Sequence, residues 1–479
     1  MSRSDDTSDI PATRPGADPA EEPTATPAPD LTADRTRTFA PFSPPGTAEY
    51  VEATAAYQLA VPLDPVAAFT ARAVEDVVRA VATARRVGLP LQVHTTGHSA
   101  GRSAPVAGSL LVRPVIDAPV RVDPDTRTAR VPAGRTWGEV LTAAVAHGLT
   151  ALHGSSSTVG VIGYLLSGGI SFYGRRFGLA ANHVRSLTMV LADGQVVTTS
   201  ASQQPELFWA VRGGGGGFGV VVEAEIELVP MHAIVTGMTV WDAADAARIA
   251  PAWQEWARTA PPQISTSLRV LSLPPLPTLP PALAGQRVLA LDGAVTATRE
   301  TDLPGAEAIV EQMLAPLTAL AAPRSNTWAT ASPQTLPLTH MDPPQPVAFH
   351  SDTALVRELD QAGWEALLDA GPGLLSLELR QLGGALGTAT TDGGALDHFS
   401  APLHYYAVGL AGPDTLERLR AARAALTPSL TGRTAPNFVD RAGQPQRTYD
   451  DGTRARVERV RREADPNGLF GGDVAPIRD

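Results

Sequence analysis

The chain contains no cysteine, and all 38 of its Lys and Arg positions are arginine. The first absence removes disulfides, thiolate zinc sites, iron–sulfur clusters and cysteine nucleophiles together. The second removes Schiff-base chemistry, the anchoring of pyridoxal phosphate and a Walker-type phosphate lysine. Arginine and alanine standing in for lysine throughout match a GC-rich coding bias. No run is long and apolar enough to span a bilayer. The start has no basic stretch followed by an apolar core, so a cytoplasmic location is expected. The Gly-x-Ser-x-Gly elbow of serine hydrolases is missing as well.

What is present belongs to a globular protein of two or three domains. The chain has 479 residues, an ordinary apolar fraction of 43%, and 43 each of glycine and proline. Its formal charge of -11 argues against a nucleic-acid or anionic-membrane partner. Residues 1–40 are rich in Pro, Ala, Asp and Thr with few large apolar side chains, so they are read as a disordered tail.

Periodicity then outlines the elements. Val74, Val77, Val78 and Val81 share one helical face, and Gly88 stops that helix ahead of a strand at Leu91–Val93. LLVRP and Arg127–Gly134 read as strands, and Thr136–Gly148 as a helix with a threonine cap. Ser186–Ser200 reads as a hairpin in which Asp193-Gly194 suits a tight turn with positive φ at both residues. PELFWAVRG opens a helix with proline at its first position. Val222, Ala224, Ile226 and Leu228 alternate with glutamates as in a half-buried strand. After Pro230 the texture changes. Helices are expected at Ala243–Thr259, Leu303–Leu320, Leu355–Ala370 and Thr453–Ala464, with strand-like SLELRQLGGAL and LHYYAVGL and a proline loop at Pro274–Pro281.

Three glycine-rich stretches stand out. RGGGGGFG contains a literal G-x-G-x-x-G at Gly214, Gly216 and Gly219. A dinucleotide fingerprint must follow a strand and open a helix, whereas this one follows a helix and opens a strand, so it reads as a turn that lets backbones approach. TTGHSAG (Thr95–Gly101) and GSSSTVGVIGYLLSGG (Gly154–Gly169) offer amides and hydroxyls without bulk. Successive free amides in such turns form an anion nest, the natural way to hold a pyrophosphate in a chain without lysine. His94 and His98 have H-x-x-x-H spacing but lie in a loop, and His398 and His404 do not share a helix face, so no metal is expected.

In order and spacing, TTGHSAG, HGSSSTVGVIGYLLSGGISFYGRRFGLAANHV, ADGQVV and PELFWAVRGGGGGFGVVVEAEIEL resemble the berberine-bridge-enzyme-like flavoproteins of the vanillyl-alcohol-oxidase (p-cresol methylhydroxylase) FAD superfamily. The likeness runs from about Ala71 to Pro230 and returns in NFVD and DPNGLF. It implies an α+β fold with a two-subdomain FAD-binding domain over 41–230. A substrate domain over 231–426, an antiparallel sheet covered by helices, and a segment over 427–479 that completes the FAD domain would follow.

The resemblance also implies roles. Thr95, Thr96, Gly97, His98 and Ser99 would wrap FAD, with an 8α-histidyl bond at His98. Gly154, Ser155, Ser156, Val159, Gly160, Gly163, Gly168 and Gly169 would cradle it from the second stretch, with Gly219, Val222, Asn437 and Phe438 completing the contacts. Ser156 stands where many relatives carry a cysteine bonded to flavin C6, so a single linkage is expected. Ala435 replaces a tyrosine that often acts as base. Tyr405 is then the first catalytic candidate, with His404 and Tyr406, on the opposite strand face, as the alternatives. The expected reaction is oxidation of a secondary metabolite or carbohydrate by hydride transfer to flavin N5, with O2 as acceptor. The alternatives are a non-oxidative cyclase using the same pocket and a flavin-binding module without turnover.

Overall fold

The computed structural model describes residues 39–475 except 104, 276 and 278–282. The tail expected at 1–40 lies outside these residues apart from its last two, as does most of the Pro274–Pro281 loop. From Phe39 onward the chain forms one compact unit. It is an α+β protein.

A small parallel sheet sets Leu110–Pro114 between Ala67–Ala71 and Leu91–Val93. The Val74–Val87 helix covers it with Val77 and Val81, while Val74 and Val78 pack at the margin. Gly88 ends that helix at φ 69°, its N–H donating to Ala84 O. A left-handed residue after the last turn caps free carbonyls, and glycine adopts it without steric cost. A five-stranded antiparallel sheet follows, in the order Arg121–Asp123, Thr128–Pro132, Val220–Glu227, Val184–Val190, Val196–Ser200. The hairpin is closed by Leu191 N–H on Gln195 O, a longer loop than a two-residue turn. Only Gly194 there has positive φ, so the expectation for Asp193 is corrected.

An eight-stranded antiparallel sheet carries the rest. Its main path runs Ser325–Asn326, Ala233–Asp242, Arg287–Ala297, Ile264–Ser272, Ser376–Gln381, Leu403–Leu410, Phe349–Val356, with Ala329–Ala331 also on the second of these. The helix expected over Leu355–Ala370 is two elements: Phe349–Val356 is an edge strand, and the helix is Gln361–Ala370. The helical pattern held only beyond Asp360, whose carboxylate accepts from Gly363 N–H and caps the helix.

The two faces of this sheet differ in chemistry. One face sends Leu268, Val270, Leu289, Leu291, Leu377, Leu379, Tyr405 and Ala407 into a core with Ile249, Trp253, Met313, Leu317, Trp364 and Leu419 of the covering helices. Burying each large side chain contributes roughly 1.5–3 kcal/mol. The other face carries the alternate residues: Asp292, Ser267, Arg380 and His404 in one row, Arg269, Glu378 and Tyr406 in the next, Leu271, Ser376 and Val408 in a third. A period of two sends every second side chain to the same face, so the helices bury one set and leave the other to line a cavity.

Candidate active site

A cavity of about 500 Å³ lies against that second face. This volume is ordinary for a small-molecule or cofactor pocket. Its walls come from the Thr95–Ser99 loop, the 154–163 stretch, Gly215, Gly216 and Gly219, the sheet face, and Asn437–Asp440.

On the loop side the backbone is bare. Among the described residues, the amides of Thr95, Thr96, Gly97, His98 and Ser99 have no acceptor, nor do those of Ser155 and Ser156. Gly97 sits at φ 72°, and a Cβ there would come within 2.5 Å of Ala56 Cβ. Gly160 packs against the threonines of the loop: a Cβ would lie 2.8 Å from Thr95 Oγ1, and its N–H donates to Thr96 Oγ1 at 3.2 Å. The absence of a Cβ at these two positions lets the backbones approach this closely. His94, half-buried, braces the loop from behind through Nε2 and Ala53 O at 2.8 Å.

His98 lines the cavity. Its ring stacks on Tyr57 with centroids 3.8 Å apart and 12° between planes. Nε2 meets Thr158 Oγ1 at 3.1 Å, and Thr158 Oγ1 meets Ser156 Oγ at 2.9 Å. Nδ1 has no partner among the described residues. Burial lowers the imidazole pKa to about 4, against the smaller opposing pull of Asp342 and Thr158. The ring is therefore neutral near pH 7, with one nitrogen held and the other free.

On the sheet side lies a buried ionic network that the sequence analysis did not identify. Arg380 Nε donates to Glu378 Oε1 at 2.7 Å, and Ser267 Oγ donates to the same oxygen at 2.8 Å. His340 places Nδ1 3.1 Å from Asp292 Oδ1 and Nε2 3.2 Å from Arg380 Nη2, and Arg269 pairs with Asp292. Arg380 also lies 4.7 Å from the Phe172 ring and 5.3 Å from that of Phe438. Burial would raise the Glu378 carboxyl, but Arg380 and His340 hold it well below the usual range. Burial and Arg269 push His340 down, and Asp292 and Glu378 outweigh them, leaving it raised. A signal for this network existed: charged residues at alternate positions of otherwise apolar strands, in SLRV and LELR.

The cavity brings together most residues singled out by sequence. Thr95, Thr96, Gly97, His98, Ser99, Gly154, Ser155, Ser156, Val159, Gly160, Gly163, Gly219, Asn437, Phe438 and Tyr406 line it. Five do not. Tyr405 is fully buried in the helix-side core, because its strand sends odd positions there. His404 is on the cavity side but fully buried, with Nε2 against Thr353 Oγ1 at 2.8 Å. Val222 belongs to the core beneath the parallel sheet, and its neighbour Val221 takes the wall. Gly168 and Gly169 lie behind the wall, where Gly169 N–H donates to Asn437 Oδ1 at 2.8 Å. Asn437 Nδ2 in turn donates to Tyr164 O at 3.0 Å, so the C-terminal segment ties down the glycine stretch.

Comparison with known proteins agrees with this geometry. A family profile described as "FAD binding domain" matches residues 65–200. The FAD-linked oxidoreductase pynB of Aspergillus niger is 34% identical over 202 residues, 42% of this chain and 37% of that protein. The glucooligosaccharide oxidase of Sarocladium strictum is 33% identical over 223 residues, 45% of this chain and 44% of that protein. The matches thus span less than half the length of these relatives. A solved structure of Physcomitrella patens BBE-like 1 covers 91% of this chain and 97% of its own, with a TM-score of 0.75 and 21% identity. Over residues 65–200 the chain is similar in sequence to FAD-binding domains, and over most of its length it shares the fold of the BBE-like 1 structure.

The residues present fit FAD. The unpartnered amides of the Thr95–Ser99 loop, which lines the cavity, suit a pyrophosphate. Arg102, half-buried, lines the same cavity and donates to Ser167 Oγ at 2.6 Å. No carboxylate among the described residues pairs with it, so it adds a positive charge facing that region.

Proposed function

We propose that the chain is an FAD-dependent oxidase or dehydrogenase of a small molecule, a secondary metabolite or a carbohydrate, with the cofactor tethered through His98 alone and O2 as electron acceptor. The same reading assigns FAD binding to 41–230, completed by 427–479, and the substrate to 231–426. The bound cofactor supplies a two-electron acceptor for a hydride from carbon. The observation that carries this is the single cavity joining the bare amide loop and the free Nδ1 of His98 to a sheet face bearing Tyr406, Glu378 and Arg380.

The chain's own residues divide the work. The amides of Thr95–Ser99, with Arg102, hold the diphosphate. Thr158 holds His98 by Nε2 and leaves Nδ1 for attachment. Ser156, lacking a thiol, leaves the second linkage unmade. Tyr406 faces the reacting carbon and receives the proton of a donor hydroxyl or amine. Glu378, Arg380, His340, Asp292 and Arg269 form a preorganised ionic wall that holds substrate polar groups without rearrangement. Leu271, Val347, Phe349 and Val408 give the substrate body an apolar surface.

The test is anaerobic. The purified protein is yellow, and mixing it with a panel of alcohols, amines and oligosaccharides bleaches the colour with the true donor. Turnover without bleaching would favour the cyclase reading, for which Ala435, buried in an apolar cluster where relatives place a tyrosine, is the favouring feature. A colourless protein that takes up no FAD would end both.

A further inference from the structure

Tyr57 has no part in the reaction proposed for the cavity, yet it lies face to face with His98. The ring centroids are 3.8 Å apart and the planes differ by 12°, so the phenol covers one face of the imidazole. The side chain is buried and lines the cavity. Backbone bonds on both sides fix its place. Tyr57 N–H donates to Thr96 O at 3.0 Å, Gln58 N–H donates to Gly97 O at 3.1 Å, and Val347 N–H donates to Tyr57 O at 3.0 Å. The hydroxyl donates to Pro343 O at 2.5 Å, which pins the ring at its para end. Gly97 admits this pairing, because a Cβ there would lie 2.7 Å from Ala56 Cα. Tyr57 and the loop that carries His98 are therefore one hydrogen-bonded body.

The stack is closer than packing alone asks for. Neutral aromatic pairs prefer offset or edge-on arrangements with centroids about 4.5–7 Å apart. A cation, by contrast, is drawn onto the negative face of an aromatic ring. The surroundings of His98 make such a partner useful. Burial lowers its pKa to about 4, so a positive imidazole is disfavoured there unless neighbours replace the lost water. Its ring-nitrogen contact is a neutral hydroxyl, Thr158 Oγ1 at 3.1 Å, rather than a carboxylate.

We infer that Tyr57 is the positioning residue for His98: its ring face fixes the plane of the imidazole and stabilises the positive charge that the imidazole carries while FAD is being attached. This rests on the reading of His98 as the attachment point. Attachment forms a C–N bond between Nδ1 and the flavin methyl carbon and breaks one methyl C–H bond. The two electrons of that C–H bond pass to the flavin ring and from it to dioxygen. The methyl proton and the Nε2 proton are released, and dioxygen takes up two protons with the electrons as hydrogen peroxide. Between formation of the C–N bond and loss of the Nε2 proton the imidazole is a cation, and Tyr57 is the aromatic face against it. Thr158 Oγ1, beside Nε2, stands where that proton leaves. The Tyr57 hydroxyl takes no part, since it is spent on Pro343 O.

The test mixes flavin-free protein with FAD at neutral pH. Quenching of flavin fluorescence reports uptake, and fluorescence on denaturing gels reports the covalent bond. Tyr57→Phe keeps the ring and attaches within about twofold of wild type. Tyr57→Leu takes up FAD but attaches it about tenfold more slowly, the loss of one cation–π contact. Pentafluorophenylalanine installed at position 57 keeps the shape of phenylalanine and reverses the sign of the ring face, and it slows attachment as leucine does. A ring that only fills space would leave the phenylalanine and pentafluorophenylalanine proteins equal. That equality overturns the inference, even if Tyr57→Leu does not fold. The attachment reading is tested separately on the wild type: uptake of FAD with no covalent bond overturns that reading, whereas covalent flavin formed at equal rates with both rings sinks the role of Tyr57 alone.

Discussion

The proposed attachment of FAD to His98 offers the sharpest check on the site, because burial of the imidazole sets the pH dependence such an attachment would have. The reactive form is neutral imidazole with a free nitrogen. An ordinary histidine, with a pKa near 6.5, is about 10% neutral at pH 5.5 and about 90% neutral at pH 7.5, so its attachment rate would climb about ninefold over that interval. His98 is depressed to about 4 by burial. It is then about 97% neutral at pH 5.5 and fully so at pH 7.5, and the rate stays flat. The experiment mixes flavin-free protein with FAD at a series of pH values and follows flavin fluorescence on denaturing gels. Thr158→Val sharpens the result. It keeps the shape of Thr158 but removes the hydroxyl that meets His98 Nε2 and Ser156 Oγ. One such hydrogen bond is worth about 1 kcal/mol, so attachment slows about fivefold. A ninefold rise between pH 5.5 and 7.5, or no effect of Thr158→Val, would refute the argument that burial and one hydroxyl set the nucleophile.

Four further outcomes follow from particular contacts. Ser156→Cys sets a thiol one hydroxyl away from His98, so mass spectrometry of the Ser156→Cys/His98→Ala protein shows covalently bound flavin, whereas His98→Ala alone shows none. Gly97→Ala places a Cβ 2.5 Å from Ala56 at φ 72°, and the purified variant carries at most about a tenth of the flavin absorbance per chain. Tyr405→Phe removes a buried hydroxyl without a partner and is neutral or stabilising by about 1 kcal/mol in urea titration with turnover intact, while Tyr406→Phe lowers turnover at least about tenfold. Arg175, 5% exposed, donates to Ile264 O, Ala260 O and Leu382 O, so Arg175→Leu strands three carbonyls and lowers stability by about 3 kcal/mol or more, read as a reduced denaturation midpoint.

Elements with strong local signatures are legible in the residues alone. The Val74–Val87 helix and its Gly88 stop, the Pro205–Val211 helix, the alternation of Val220–Glu227 and the small-residue loops at 95–101 and 154–169 are all decided by neighbours a few residues away. The Thr95–Gly101 loop is local in the same sense: glycine and short side chains are what permit its backbone, so its shape is legible in TTGHSAG. What the tertiary structure alone decided is which side of each strand meets the cavity. LHYYAVGL allows Tyr405 or Tyr406 to face the site, and only packing of the helix Pro413–Ala425 and its companions against one face settles it for Tyr406. The network of Arg269, Asp292, His340, Glu378 and Arg380, like the pairing of Ser351 with Asp440, draws on residues from distant strands and loops. No single segment shows such groups as partners, because a buried charge is tolerated only when the fold brings its counter-charge alongside.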